Sequence, residues 1–550
     1  QAQVRQPLAG CWGDGAAAGD LEDLGCANHF GPGTFEIRGR SGHVDMIAGN
    51  SGAHGAAARK HGSCMLPWAQ QHQLTVSSKV DFFAAVQAPH QGRGAVAQEQ
   101  ITAGDVILQI PLEACLTPLN IPDAPPFMDE QQKLMLRLLY EDLVLGVESK
   151  WRPYLDLLPR QFPTMPLWFT PAELKLLRGT SVDALLSGQH IANSKDLRAM
   201  AAWCASKSDL FPSHVTIGID ELRWAASVVA SRAFDSSAVG VALVPFADAL
   251  NHSGANPHTR MRDGGQQLTF TAERGIAKGE EVMNTYGEHG NAQWLLNGGF
   301  IDRSNPFEDV LVTPAEVVSK SLEYLREVWN PSAADNVGLP EEEAEDADAD
   351  SDEGEDRDLE ERDSALSFDA RVCDRLSCLQ AAGLLSETAF SISLRDLLPN
   401  GLATVLLVLC MDEDNFVKYK ARNEPIIDLT DEEFDDGLLK HMYTALLRLV
   451  DMLDQRYETS LEEDEVLLAR IEAYLGELIA SEPSQKRSRS ASDTLADVLK
   501  PDVRLHNIHQ ILLLRVGQKR LLRELRANAE GCFASGDEDG HEEDGEEHEE

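Results

Sequence analysis

The 550-residue chain is short of bases, of paired cysteines and of long apolar runs. Lys and Arg number 48 against 91 Asp and Glu, a formal net charge of −43. That balance disfavours a nucleic-acid surface, because phosphate binding draws on Lys and Arg. The deficit is uneven. Residues 341–363 hold 15 acids and 2 bases, and residues 537–550 hold 10 acids and no base, together more than half of the net charge. Such runs repel themselves and are usually solvated loops or tails, docking to a basic partner being the rarer use. The nine cysteines are scattered without a CxxC pair, which argues against a disulfide scaffold and a structural zinc site, and no metal is expected. No apolar run reaches about eighteen residues, so no membrane-spanning helix is expected.

Polar residues, glycines and aromatics crowd into residues 242–306. An apolar, strand-like run over 241–246 leads to Asp248 and is broken by Asn251-His252-Ser253. A Gly279-Glu280-Glu281 turn, a short apolar run and Tyr286-Gly287 follow. Asn291 then opens a helix-like segment ending at Gly298-Gly299-Phe300. Asn and His inside apolar segments are costly to bury unless hydrogen-bonded, so they call for a partner or a ligand.

Residues 1–75 are rich in Gly, Ala and small polar residues without periodicity, and read as a disordered leader or an organellar transit segment. Residues 76–117 read as short strands separated by turns, among them Gly92-Arg93-Gly94 and Gly104-Asp105. Glycine lets backbone approach a ligand closely, although GxG alone is a weak signal. Residues 118–218 read as helical: 134–146 has helical apolar spacing, and Thr170-Pro171-Ala172-Glu173 is a helix start with cap, first-position Pro and third-position Glu. A further helix is expected over 220–234 with Asp220 as its cap. Helical patterns dominate from 309 to 530, interrupted by the acidic loop at 340–363 and by the basic, serine-rich stretch 484–492, which reads as a plain loop. Residues 531–550 read as an acidic disordered tail.

The Asn251-His252-Ser253 segment, the GEEV and Tyr-Gly of 279–287, and the Asn, Leu-Leu and Gly-Phe of 291–300 resemble the two signature motifs of SET-domain methyltransferases. More narrowly they resemble the branch of the Rubisco large-subunit lysine methyltransferases. The GRG turn with DVILQIP, the WRPYLDLLP of 151–159, the Ser231-Arg232-Ala233-Phe234 segment and residues 512–525 are similar to further parts of that family. Many histone-directed SET enzymes carry a Cys-rich zinc cluster after the tyrosine; here only Cys373 and Cys378 lie within a hundred residues downstream. The resemblance implies an α+β fold of short β-sheets around a threaded, pseudoknot-like loop. The fold would be split at 118–218 by a helical insert, resumed over 219–308, and followed by an all-α substrate-binding domain. It implies S-adenosylmethionine as cofactor and a protein lysine as acceptor. Tyr286 would be the catalytic tyrosine. Gly92, Arg93, Gly94, Arg232, Asn251, His252 and Phe300 would join it in holding the cofactor, the GRG turn through its backbone.

Phe234, Asp235, Asp248 and Gly298 would line the acceptor side. Phe234 matches the lysine-methylating relatives, whereas those that methylate histidine carry Asn there. Gly298 stands where the family often has Tyr, which bears on the degree of methylation. Expected partners are a protein substrate (Rubisco large subunit, aldolase or a ribosomal protein), without nucleic acid or membrane, and the chain itself is expected to be a monomer. The expected compartment is the chloroplast stroma, with cytoplasm or nucleus as alternatives. A non-catalytic SET scaffold that binds a basic partner and a histidine methyltransferase are the competing readings.

Overall fold

The structure, a computed structural model, describes residues 64–86, 92–188, 194–329, 370–422, 424–429, 434–480 and 503–536. Its strands are β1 (Thr75–Val76), β2 (Val80–Val86), β3 (Gly92–Ala97), β4 (Val106–Pro111), β5 (Ala233–Ser236), β6 (Gly240–Leu243), β7 (Thr259–Asp263), β8 (Gln267–Ala272), β9 (Asp309–Val312) and β10 (Phe390–Ser393). The principal helices are α1 (Glu130–Leu139), α2 (Pro171–Leu176), α3 (Ser181–Gly188), α4 (Ser194–Ser206), α5 (Ile219–Arg232), α6 (Asn291–Gly298), α7 (Pro314–Trp329), α8 (Asn400–Cys410), α9 (Glu413–Lys420), α10 (Asp436–Gln455), α11 (Leu461–Ala480) and α12 (Leu505–Gly536). The chain divides into two compact units, one of residues 1–167, 190–288 and 474–487, the other of 168–189, 289–473 and 488–550.

In the first unit, small antiparallel sheets form around the chain crossing that builds the site. A four-stranded sheet runs β1-β4-β8-β7, and β2–β3 and β5–β6 are two-stranded ribbons. Leu108 and Ile110 in β4, paired with Phe270 and Leu268 in β8, bury one apolar face of that sheet, and Ile107 is buried as well. Helix α1 packs along α5, burying Leu134, Leu138, Val228 and Val229. The regular helix expected over 134–146 stops at Leu139 and continues to Leu145 as a π-turn, where Glu141 is buried and takes hydrogen bonds from Arg137 and Ser149. Asp220 does not cap α5. Gly218 is the N-cap and Glu221 reaches back to its amide at 2.9 Å, so Asp220 sits in the first turn.

The last part of the stretch expected as a leader over 1–75 is folded. Residues 64–71 form a helix that buries Met65, Trp68 and Ala69, and Trp68 Nε1 donates to the Lys150 carbonyl at 2.6 Å. Three apolar residues at helical spacing are too few to rise above the small-residue background in sequence. Residues 1–63, the acidic loop 340–363, the basic loop 484–492 and the tail from 537 onward lie outside the described residues.

The second unit is helical around a core of α7, α8, α10 and α12, with one antiparallel ribbon, β9–β10, among its described residues. Its smaller core joins Leu177, Val182, Leu295, Leu296, Ile511 and Leu514, so residues 168–189 of the expected insert pack in this unit. The predicted cap of α2 is present: Thr170 and Glu173 exchange side-chain-to-backbone hydrogen bonds. Glu173 does more than cap, since its fully buried carboxylate also receives Arg504 and Asn507.

Candidate active site

The site grows out of the turn that follows β6. Phe246 takes φ of +70°, a left-handed conformation that non-glycine residues rarely adopt, and its ring lies edge-on to Phe82 and Phe83 at 5.6 and 5.7 Å. That reversal turns the chain into the Ala247–Ala249 turn and delivers Asp248 to the interior. The next residues thread beside 284–286. Asn284 N donates to the Asn251 carbonyl and Ser253 N to the Asn284 carbonyl, both at 2.8 Å. Tyr286 N donates to His252 Nδ1 at 3.0 Å, which places the proton of a neutral His252 on Nε2. Tyr286 donates its phenol proton to the Leu250 carbonyl at 2.8 Å, its ring 5.1 Å from that of His252. Burial pushes this phenol well above its ordinary range, with Arg232 opposing, so it stays protonated at neutral pH.

A charge cluster adjoins the tyrosine. Arg232, at the C-terminus of α5, donates from Nη1 to Asp248 Oδ2 at 3.0 Å and to the Asp248 carbonyl at 3.2 Å. Arg93 Nη2 reaches the same Oδ2 at 3.5 Å, and the buried Tyr154 hydroxyl reaches it at 3.4 Å. The Asp248 side chain is 1% exposed. Asn251 Nδ2 donates to Glu281 Oε1 at 2.6 Å and to the Arg93 carbonyl at 3.3 Å, tying the threaded loop to β3. Tyr154 and Glu281 carried no sequence expectation of a role. The only signal for them was position, within WRPYLDLLP and the GEEV turn.

Other expected residues fall in several places. Phe234 lies on β5, two residues after Arg232, its ring edge-on to Phe270 at 6.0 Å. Asp235 beside it has its carboxyl pushed up by burial and by Asp263. Gly298 and Phe300 belong to the second unit, at the end of α6. A Cβ placed on Gly298 would meet the Phe300 ring at 2.6 Å, and that ring stacks on Trp294 at 6.0 Å. The Phe300 ring thus takes the space that a side chain at 298 would need.

The residues fit S-adenosylmethionine. Gly92-Arg93-Gly94, expected as a turn, is instead the start of strand β3: Gly92 has φ of +141°, and Gly94 is packed where a Cβ would collide with Glu281, Val86 and Asn251. Arg232 Nε is buried and has no hydrogen-bond partner among the described residues, a donor left for a ligand to satisfy. His258, the other buried histidine here, is engaged at both nitrogens, by the Met283 amide and by Glu280. Among the described residues no three His, Cys, Asp or Glu side chains assemble as a metal cage. Burial pushes the Cys115, Cys204 and Cys410 thiols up to about 12, leaving them unreactive. No described helix is long and apolar enough to cross a membrane.

Comparison with known proteins agrees with this geometry. Residues 92–287 match the SET domain family, and residues 367–522 match the Rubisco LSMT substrate-binding family. The chain is 26% identical over 459 residues to the N-lysine methyltransferase SETD6 of Mus musculus, covering 78% of this chain and 88% of the relative. It is 28% identical over 239 residues to the actin-histidine N-methyltransferase of Drosophila melanogaster, 38% of this chain and 44% of that protein. It is also 28% identical over 240 residues to the chloroplastic fructose-bisphosphate aldolase-lysine N-methyltransferase of Arabidopsis thaliana, 39% of this chain and 47% of the relative. Among solved structures, Rubisco LSMT bound to sinefungin and monomethyllysine superposes with a TM-score of 0.57 at 17% identity, covering 86% of this chain and 93% of that one. By these matches residues 92–287 are a SET domain and residues 367–522 a substrate-binding domain of the Rubisco LSMT type.

Proposed function

We propose that the chain transfers a methyl group from S-adenosylmethionine to the side-chain amine of a lysine in a protein substrate. The observation that carries this reading is the Tyr286 phenol, kept neutral and fixed on the Leu250 carbonyl beside the Asn251-His252 thread. S-adenosylmethionine, when bound, supplies an electrophilic methyl on a positively charged sulfur. Arg232, Asn251 and the Gly92-Arg93-Gly94 start of β3 would hold it through hydrogen bonds and close backbone approach.

The acceptor lysine must present a lone pair, against an ordinary pKa of about 10.4. Tyr286 is no base, since its own pKa is raised, and both histidines nearest the thread have their Nδ1 lone pair taken by a backbone amide. The site therefore acts by positioning and by desolvating the amine, which lowers its pKa, and the proton leaves to water. Asp235 would draw the incoming ammonium and Phe234 suits an aliphatic lysine stem, whereas Asp248, expected on the acceptor side, is buried and paired with Arg93 and Arg232. SETD6 and the Arabidopsis enzyme are named for lysine, and the similarity to the actin-histidine enzyme keeps histidine as a second acceptor to be tested. A stromal location is part of the reading, supported by the likeness to the Arabidopsis chloroplastic enzyme.

The test is methyl incorporation from labelled S-adenosylmethionine into stromal and cytosolic extracts. Wild type runs beside Tyr286→Phe, and the labelled residue is mapped by mass spectrometry. A labelled lysine lost in the variant is expected. A labelled histidine would move the acceptor, and no label together with no thermal shift from S-adenosylhomocysteine would leave a non-catalytic scaffold.

A further inference from the structure

Tyr286 ends a short segment, residues 282–286, that lies beside the thread and is held there by its backbone. Val282 N donates to the Ala95 carbonyl of β3 at 2.7 Å, and Asn284 N to the Asn251 carbonyl at 2.8 Å. The amides of Met283 and Tyr286 donate instead to imidazole nitrogens, Nδ1 of His258 and Nδ1 of His252, both at 3.0 Å. An imidazole nitrogen accepts a hydrogen bond only while it carries no proton. These two anchors therefore exist only while their histidines are neutral.

His258 grips Met283 twice. Its own backbone amide donates to the Met283 carbonyl at 2.8 Å, and its Nδ1 accepts from the Met283 amide. Nε2 faces Glu280 Oε1 at 2.9 Å, which fixes the single ring proton on Nε2 and leaves Nδ1 as the acceptor. A second proton, on Nδ1, would set two donors against each other 3.0 Å apart around a side chain only 4% exposed. The Glu280 contact would survive, so the Met283 anchor is what acid removes. Burial disfavours the charged ring, and so does Arg274, whose guanidinium reaches the Asn256 and Pro257 carbonyls; Glu280 and Glu281 favour it. The balance holds His258 below the ordinary histidine value of about 6.5. The anchor is thus fully present above that pH and is lost as pH falls below it.

We propose that His258 is a positioning residue for Tyr286: its neutral imidazole fixes segment 282–286 against the thread, and its protonation in acid releases the segment and the tyrosine with it. The catalytic consequence rests on the methyltransferase reading above. The anchoring does not.

The test compares wild type, His258→Leu and His258→Asn as full chains. Asn offers an amide oxygen in place of Nδ1 and does not titrate. Amide exchange followed by mass spectrometry on peptides spanning residues 282–288, corrected for the intrinsic effect of pH, reads the anchor directly. Wild-type protection should be level from pH 8 to 7 and fall about tenfold by pH 5.5. His258→Leu should be less protected at every pH, and His258→Asn should recover most of that protection and stay level in acid. Constant wild-type protection, or an acid loss that persists in His258→Asn, would overturn the proposal. Should His258→Leu unfold, the comparison of wild type with His258→Asn across pH decides alone. Methyl incorporation into the stromal and cytosolic extracts at saturating S-adenosylmethionine should fall about ten- to a hundredfold in His258→Leu at pH 8, while calorimetric affinity for S-adenosylhomocysteine changes less than about threefold. An equal loss of both would reduce His258 to general support of the fold and overturn its role toward the tyrosine. Wild type that neither incorporates methyl nor binds S-adenosylhomocysteine would overturn the methyltransferase reading and the catalytic half of the proposal, and the exchange comparison would still decide the anchor.

Discussion

Replacing Asp248 by Asn removes one charge and almost no volume, yet it should be among the most damaging single changes in the first unit. At an effective dielectric of about 20, the Arg232 contact at 3.0 Å corresponds to roughly 5 kcal/mol of Coulomb attraction and the Arg93 contact at 3.5 Å to slightly less. Neither is a net contribution. Burying Asp248 costs several kcal/mol of hydration, and the partly exposed guanidiniums recover some water when released. The remainder comes from what Asn leaves behind, two neighbouring cations without a counter-charge. Breaking a buried pair by removing one partner costs about 3–5 kcal/mol, and the residual exposure places this site near the lower end, about 3 kcal/mol.

A chain of two compact units need not unfold in one step, so a global midpoint is a poor reporter here. Amide exchange followed by mass spectrometry on peptides spanning residues 240–253 reads the local opening instead, and about 3 kcal/mol corresponds to roughly a hundredfold faster exchange. Arg93→Leu combined with Asp248→Asn should recover part of the loss, because one unpaired cation is gone, whereas independent sites would simply add. A local change below about 1 kcal/mol, or strict additivity in the double variant, would refute the view that Asp248 holds the two arginines together.

Tyr286→Phe should leave melting temperature nearly unchanged, since one hydrogen bond to the Leu250 carbonyl is worth about 1 kcal/mol, while turnover falls on the order of a hundredfold or more. Equal activity would remove Tyr286 from the mechanism. In the second unit, burial pushes the Glu308 carboxyl up to about 8, against the hydrogen bond from Asn291. The native state therefore keeps a proton that the unfolded chain releases above about 4.5, so stability contributed by this group falls as pH rises through the window from about 4.5 to 8. Asp309, pushed up to about 6, acts in the same direction at lower pH. Glu308→Gln should flatten that slope and gain on the order of 3–5 kcal/mol relative to wild type between pH 5 and pH 8.5; parallel stability curves would contradict it. Glu173→Ala should cost about 3–5 kcal/mol in denaturant unfolding of the second unit, because it strands Arg504 and opens the α2 cap, with Glu173→Gln milder. Gly298→Tyr should destabilise by about 1–3 kcal/mol by driving out the Phe300 ring, and Phe300→Ala should relieve that clash; an additive double variant would count against it.

What the sequence disclosed, and what it withheld, divides along the range of each interaction. The capping box at Thr170 and Glu173 was readable because its partners are three residues apart. The second use of Glu173, as receptor for Arg504, was not, because that partner lies 331 residues away. Even local signals failed where two residues competed for one role. Asp220 has the better capping side chain, but Glu221 occupies the position from which a carboxylate reaches the Gly218 amide, and position decided it. Apolar spacing carried through 134–146, because a π-turn shifts the buried face without abolishing it, so periodicity foretold burial but not the change of helix at Leu139. The active-site cluster is the extreme case. Residues 93, 154, 232 and 248 come from a strand, a single helical turn, a helix end and a loop, and nothing in the neighbourhood of Arg93 indicates that its charge faces Asp248. Motifs located the GRG stretch (though as a strand start and not the expected turn), the thread and the tyrosine, each a property of contiguous chain. The meeting of Arg93 and Arg232 on Asp248 is a property of their convergence, and only the fold makes it visible.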